Sequence, residues 1–254
     1  MKIQFVSDLH LEFPENRRFL RLNPILPKGE ILILAGDILL LKDKEDYNDF
    51  LDFCSNNFSK TYWIAGNHEF YHFDLEDFKG ETNIEIRPNV FLLNNVYIVE
   101  GSVRFIFSTL WTKISHENAR VIQSGLNDFH LIRNNLKRLT VDAYNELFTA
   151  NLSFIKSALE VNWDKNTIVV THHVPTFQNY PIEYLGSDLN QAFAVDLDEF
   201  IRKSNIDFWI YGHHHRNISD FFIGKTRMLT NQLGYVRSGE HKNFQADRII
   251  EIHD

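Results

Sequence analysis

Short apolar runs alternate with segments of helical spacing through the first two-thirds of the chain. Lys2–Ser7 reads as a strand, and Glu30–Ala35 (EILILA) and Tyr62–Ala65 (YWIA) are near-continuous apolar runs. Such runs fit strands buried on both faces, in a sheet covered by helices. Between the second and third lies Asp43–Phe58, where Tyr47, Phe50, Leu51, Cys54 and Phe58 recur at helical spacing. That is strand–helix–strand, which predicts parallel pairing. Further on, Tyr97–Gly101 and Arg104–Ser108 predict adjacent strands around a turn at Gly101-Ser102. A long helix is predicted from about Val141 to Glu160, its apolar face marked by Val141, Tyr144, Phe148, Ile155 and Leu159, with Thr140 as N-cap. Then come Thr167–Thr171, a helix near Asp196–Lys203, Asp207–Tyr211, and a last strand at Arg248–Ile252. Many strands with helices between them predict an α/β protein with more than one sheet.

The polar residues that matter fall directly after apolar strands. Asp8-Leu9-His10 follows the first, Gly36-Asp37 the second and Gly66-Asn67-His68-Glu69 the third. His172-His173 follows Thr167–Thr171, and Gly212-His213-His214-His215 follows Asp207–Tyr211. In open α/β sheets, ligands bind beyond the carboxyl ends of strands. Taken singly, each exit has an ordinary reading: Asp8 caps a turn, and Gly66-Asn67 is a tight turn. Their conjunction points to a shared metal site. Imidazole with carboxylate suits zinc, manganese or iron. Asp8, His10, Asp37, Asn67, His172, His213 and His215 offer seven donors, more than one ion takes, and the count suits two ions sharing a bridging carboxylate.

Composition narrows the setting. The 254 residues carry a net charge of −8, which weighs against broad electrostatic binding to nucleic acid or an anionic membrane. The 22 Phe, 9 Tyr and 4 Trp rule out a dominantly disordered chain. Cys54 is the one cysteine, so no internal disulfide forms, and its aromatic surroundings predict a buried, inert thiol. No signal-peptide-like h-region opens the chain, and Ile31–Leu41 is too short to span a bilayer, so a cytoplasmic setting is expected.

The five motifs, in this order from Asp8 to His215, resemble the calcineurin-like metallophosphoesterase superfamily in its small bacterial-type form. The resemblance covers most of the chain and implies a single domain over residues 1–254. It implies a four-layer α/β/β/α sandwich of two mixed sheets, with a dinuclear metal site at the strand ends. Carried over residue by residue, Asp8, His10 and His215 would hold the first ion. Asn67, His172 and His213 would hold the second, and Asp37 would bridge them. His68 matches the family's catalytic histidine. His173 is left either behind the ligands or against substrate, and His214 as a neighbour rather than a ligand.

The implied enzyme is a hydrolase acting on phosphoric esters, with two divalent ions (manganese, iron or zinc) as cofactors. Two ions about 3.5–4 Å apart clamp an in-line displacement at phosphorus, with a metal-bridging hydroxide as nucleophile. His68 would protonate the leaving oxygen. The expected substrate is a small phosphodiester or phosphomonoester. The family's Ser/Thr protein phosphatases carry an Asp-Arg pair shortly after Gly-Asp, whereas Gly36-Asp37 continues Ile38-Leu39-Leu40-Leu41, which disfavours that branch. The alternatives are a nucleotide-conjugate pyrophosphatase of the same family and a metal-holding, non-enzymatic binding module. Presence of all seven ligands and His68 favours an enzyme. No stable nucleic-acid or membrane partner is expected. Thr112–Asn166 is the main insertion-like region, read either as cover over one side of the site, with Trp111, Asn127 and Asp128 as contacts, or as ordinary surface and core packing. The loop after Pro175, with Phe177, Asn179 and Tyr180, is read either as another wall or as ordinary surface packing.

Overall fold

The computed structural model describes residues 1–253; residue 254 lies outside the described residues. Two six-stranded mixed sheets pack face to face. The first has the order β14-β1-β2-β3-β5-β4, built from β1 (Lys2–Val6), β2 (Ile31–Ala35), β3 (Lys60–Ile64), β4 (Thr82–Arg87), β5 (Val90–Asn94) and β14 (Ile249–Glu251). The second has the order β12-β13-β11-β10-β7-β6. Its strands are β6 (Val96–Glu100), β7 (Val103–Phe107), β10 (Asn166–Val170), β11 (Phe208–Ile210), β12 (Phe221–Ile223) and β13 (Thr226–Leu229). A short hairpin, β8 (Arg133–Asn134) with β9 (Lys137–Arg138), stands apart.

Both sheets follow one plan. Four central strands pair in parallel, β1, β2, β3 and β5 in one sheet and β13, β11, β10 and β7 in the other. An antiparallel strand closes each edge. Strand side chains alternate between faces. Hence Ile3, Phe5, Ile31, Ile33, Tyr62 and Ile64 meet Val103, Phe105, Phe107, Ile168, Val170 and Ile210 between the sheets. The intervening residues, such as Leu32, Leu34, Trp63, Ile106, Val169 and Trp209, face outward into the helical layers.

Helix α2 (Asn48–Asn57) lies on the first sheet, and α5 (Val141–Glu160) and α6 (Asp198–Lys203) lie on the second, giving the α/β/β/α layering. The Asp43–Phe58 segment is a 3-10 turn, Leu41–Tyr47, broken at Asp43, followed by α2. Its first part kinks because Asp43 leaves helical backbone space (φ −111°, ψ 16°). Thr140 caps α5 by accepting from the Ala143 N–H (3.2 Å). At the other end, buried Arg104 donates to the Ala158 and Val161 carbonyls (2.9 and 2.8 Å), satisfying groups the last helical turn leaves open.

Several elements escape the periodicity reading, among them the buried strand β5 and the β8–β9 hairpin. Helix α1 (Pro14–Leu22) is largely exposed, so it lacks a broad apolar face. The β4–β5 hairpin carries an edge strand whose TNIEIR sequence is mostly uncovered. Another is α3 (His116–Gly125), which buries Ile122 alone among its residues. Among the described residues, no helix is long and apolar enough to cross a membrane.

Candidate metal centre and active site

Every polar cluster picked out at a strand exit ends up at one end of the sandwich. Parallel strands put their carboxyl ends on the same side. From the first sheet, β1 delivers Asp8 and His10, β2 delivers Asp37, and β3 delivers Asn67 and His68. From the second, β10 delivers His172, and β11 delivers His213 and His215.

Three groups of ligand atoms form there, each within 4.8 Å: Asp8, His10, Asp37 and His215; Asp37, His172 and His213; and His10, Glu12 and His68, of which the first two are the predicted ligands. Asp37 belongs to both. Asn67 Oδ1 joins the second group, 3.2 Å from His172 Nε2.

The backbone is bent to achieve this. Asp8, His10, Asp37, His213 and His215 all take left-handed conformations, with φ of 55°, 46°, 55°, 79° and 53°. Side chains rarely adopt that region, and it persists only where the surroundings enforce it. The left-handed turns at i and i+2 let Asp8 and His10, and likewise His213 and His215, aim at one point. Two glycines make room. A Cβ on Gly66 would lie 2.2 Å from Asp37 Oδ1, and one on Gly36 would lie 2.4 Å from His172 Nδ1. Glu69 braces the loops, accepting from the N–H groups of Asp37 (2.9 Å), Ile38 (2.7 Å) and Gly66 (2.7 Å) and from Trp63 Nε1 (3.1 Å).

The hydrogen bonds also show what these groups are built to hold. His10 Nδ1–H donates to Glu12 (3.0 Å), and His215 Nδ1–H donates to Glu240 (2.9 Å). Their Nε2 lone pairs then face each other at 2.9 Å. In the second group, His172 Nδ1–H donates to the Ala35 carbonyl (3.0 Å), so its Nε2 is a lone pair. That lone pair faces Asp37 Oδ1 (3.4 Å), His213 Nδ1 (3.0 Å) and Asn67 Oδ1. The Asn67 amide is oriented by its Nδ2, which donates to Asp128 (2.8 Å). Acceptors facing acceptors are repulsive unless a cation lies between them. Ring nitrogens turned by carboxylate or carbonyl partners on their far side are the usual support of metal-binding histidines. The donor set therefore fits two divalent ions, with Asp37 shared.

The electrostatics agree. Burial works against charge on Asp37, but His172, His68 and His10 hold its carboxyl well below the usual range. Burial likewise opposes a proton on His172 and on His215. Asp37 beside the first and Asp8 with Glu240 beside the second nonetheless raise them to about 9 and about 10. Without an ion, a proton on Nε2 of each ring supplies the positive charge these carboxylates favour, and a bound cation would take that proton's place. Burial pushes His173 down to about 3 and His214 down to about 4, so both are neutral.

His68 stands on the cavity side of the cluster. Its backbone N–H donates to Asp37 (2.9 Å), and its Nδ1–H donates to Glu12 (2.8 Å). Its Nε2 lies 3.3 Å from the Tyr235 hydroxyl. Burial opposes its protonation, yet Asp37 and Glu12 raise it above the ordinary histidine value. A cavity of about 410 Å³ opens over the site. Asp37, Asn67, His68, His213 and His215 lie on its floor, and Asn127, Asp128, Tyr180 and Tyr184 on its walls.

The structure thus brings all seven predicted ligands and His68 together. Asn127, Asp128 and Tyr180 reach the cavity. Trp111 does not: it is buried against Tyr144 and His173, with ring centroids 5.0 and 5.1 Å away. Phe177 and Asn179 also lie off the cavity lining. His173 packs behind His213 (4.3 Å between centroids) and does not line the cavity, whereas His214 does. Sequence reasoning missed Glu12, although Asp8, His10 and Glu12 continue one i, i+2 series. It quoted Glu69 without a role. Glu240, Gln232 and Tyr235 come from a C-terminal loop with no comparable signal.

Two mixed sheets with an Asp/His cluster at their strand ends define a metal-dependent hydrolase of phosphoric esters. The profile of the calcineurin-like phosphoesterases matches residues 1–217, and the chain belongs to that family. An uncharacterized protein of Acanthamoeba polyphaga mimivirus is 33% identical over 275 residues, covering 98% of this chain and 96% of its own. Among solved structures, the phosphopantetheinyl hydrolase of Mycobacterium tuberculosis superposes with a TM-score of 0.70 at 16% identity, covering 96% of this chain and 93% of its own. A dimetal phosphatase from Danio rerio gives 0.49 at 15% identity, covering 91% and 87%.

Proposed function

We propose that residues 1–254 act as one metallophosphoesterase domain that hydrolyses a small phosphodiester. Asp8, His10, Asp37 and His215 would hold one divalent ion, and Asp37, Asn67, His172 and His213 the other, with manganese, iron or zinc as occupants. The observation that carries this reading is the pair of converging acceptor groups sharing Asp37, with His68 beside them. When bound, the ions would polarise the phosphoryl oxygens and lower the pKa of coordinated water toward neutrality.

The protein's own groups supply the rest. His68, with Nδ1–H held by Glu12, presents Nε2 to the cavity, where its proton passes to the leaving oxygen. An alkoxide leaves poorly without that proton, and such an acid is worth roughly 10²–10⁴-fold. Asp128 keeps the Asn67 amide turned so that its carbonyl faces the cluster. The preference for a diester rests on the cavity wall. Among the described residues no Lys or Arg lines the cavity, while Asp128 and Glu240 do. A diester brings one negative charge for the ions to meet. A monoester dianion brings two, and no Lys or Arg among the described lining residues joins His68 in sharing them.

The test is hydrolysis of bis-p-nitrophenyl phosphate and p-nitrophenyl phosphate by chelator-stripped protein, with Mn²⁺, Zn²⁺ or Fe²⁺ restored in turn. Metal-dependent release, faster for the diester, is expected. Protein shown to hold two ions yet silent on both esters overturns the reading. His68→Ala is expected to keep its ions and lose roughly 10²–10⁴-fold in turnover of diesters with alkoxide leaving groups. Normal turnover on such esters removes His68 from the acid role.

A further inference from the structure

His214 sits between two candidate ligands, yet its ring joins neither group. Its surroundings fix its tautomer. The backbone N–H of His215 donates to Gln232 Oε1 (2.6 Å), so the other terminal atom of Gln232 is the amide nitrogen. That nitrogen donates to His214 Nδ1 (2.9 Å), and the Arg216 backbone N–H reaches the same atom (3.3 Å). Two donors on Nδ1 place the ring proton on Nε2. Gln232 is fully buried, and its amide nitrogen, with two hydrogens to share, also lies 2.6 Å from Thr230 Oγ1 and 3.2 Å from the Arg216 carbonyl, so turning the amide over would set its oxygen against that carbonyl. Among the described residues, His214 Nε2–H has no partner, and His214 lines the cavity.

The wall next to it is aromatic. Tyr180 lies with its ring centroid 5.9 Å from that of His214 in an edge arrangement, and Tyr184 and Phe193 extend the same wall. The nearby arginine is committed elsewhere. Arg216 Nε donates to Glu183 (2.7 Å), and its guanidinium lies 5.7 Å from the Tyr184 ring centroid. It holds the wall in place and leaves the cavity uncharged on that side.

We propose that this wall selects the arm of the diester that stays on phosphorus: an uncharged ring or other planar group that carries a hydrogen-bond acceptor. The ring lies against Tyr180, Tyr184 and Phe193, and His214 Nε2–H donates to the acceptor. His214 is thus a specificity residue, and the assignment rests on the reading of the site as a diesterase.

Three diesters with the same p-nitrophenol leaving group test it: the methyl, phenyl and thymidine 5′ esters of p-nitrophenyl phosphate, with metal-loaded protein. The phenyl ester is expected to exceed the methyl ester by about tenfold in kcat/KM, the worth of one good aromatic contact. The thymidine ester is expected to gain about tenfold more, the worth of one hydrogen bond. His214→Phe, checked to hold two ions, is expected to erase the advantage of thymidine over phenyl. Tyr184→Ala, at a partly exposed position outside the Gln232 network, is expected to shrink the advantage of both rings over methyl, and it serves if His214→Phe does not fold. Equal kcat/KM for all three esters in the parent protein overturns the proposal and leaves the diesterase reading standing. A thymidine advantage that survives in His214→Phe, or ring advantages that survive in Tyr184→Ala, also overturns it. Failure of ion-loaded protein to cleave any of the three overturns the diesterase reading itself.

Discussion

The two sheets follow the same strand plan but bring different chemistry to their shared end. The first contributes Asp8, His10, Asp37 and Asn67, and so every carboxylate of the two candidate groups. The second contributes imidazoles alone, His172, His213 and His215. Neither set is complete. The first group takes His215 from across the interface, and the second takes Asp37 from across it. The supports differ as well. Glu69 braces the first-sheet loops from within its own sheet. His172 is oriented by Ala35 of the other sheet, and His215 by Glu240 of the C-terminal loop. The carboxylates thus sit on one side and three of the four imidazole donors on the other. A cation in either group would be a tie between sheets as well as a reaction centre.

The largest effect should come from breaking the shared carboxylate. Asp37→Asn is expected to lose both ions and roughly 10³-fold or more in activity, read by metal analysis and turnover. His213→Gln, on the imidazole side, is expected to empty one group only. Equal metal content in the two variants would erase the asymmetry drawn between the sheets. Next comes Glu12, which holds both His10 and His68. Glu12→Gln is expected to cost about 10–100-fold in activity or metal affinity, the usual penalty for losing a partner behind a ligand. Parent-like metal affinity and rates would assign Glu12 a purely structural place.

A smaller effect concerns stability. If each ion ties the sheets, chelation should lower Tm by about 10–20 °C, the expected loss for two ligands each present at about 100 times its Kd in a chain of this size. An unchanged Tm would mean that the inter-sheet apolar layer carries the packing alone. The smallest effect lies away from both strand ends. Cys54 is fully buried on α2, and burial pushes its thiol up, so little thiolate forms. Native protein is expected to resist a thiol reagent that labels it fully once unfolded.

The sequence reading reached the site because metal chemistry leaves local marks. Asp-x-His, Gly-Asp, Gly-Asn-His-Glu and Gly-His-x-His each sit directly after an apolar strand, and parallel strands carry such exits to a common end. It read most core strands for a similar reason: β2 is apolar throughout and β3 ends in the apolar run Tyr62–Ile64, whereas the buried strand β5 went unread. Edge strand β4 and helix α1 were missed because they hold few apolar residues among many polar ones: Ile84 and Ile86 in β4, and Phe19, Leu20 and Leu22 at the end of α1. Glu240, Gln232 and Tyr235 were illegible for another reason. Nothing near them in the chain marks them, and each acts by touching His215, His214 or His68, which lie at least 18 residues away.

By itself, then, the sequence determined which residue types leave which strands, and with them the family, the fold and the class of reaction. Those properties depend on short-range patterns: alternation within strands, spacing within helices, and donors placed one or two residues past a strand. Only the tertiary structure decided how the donors are used. It paired His10 with Glu12 and His215 with Glu240, turned the His172 and His10 lone pairs inward, and put the His214 proton on Nε2. It also made a cavity with aromatic walls and, among the described residues, no Lys or Arg in its lining. Tautomers, lone-pair directions and cavity charge are set by partners distant in the chain, so they come into being only when the two sheets meet.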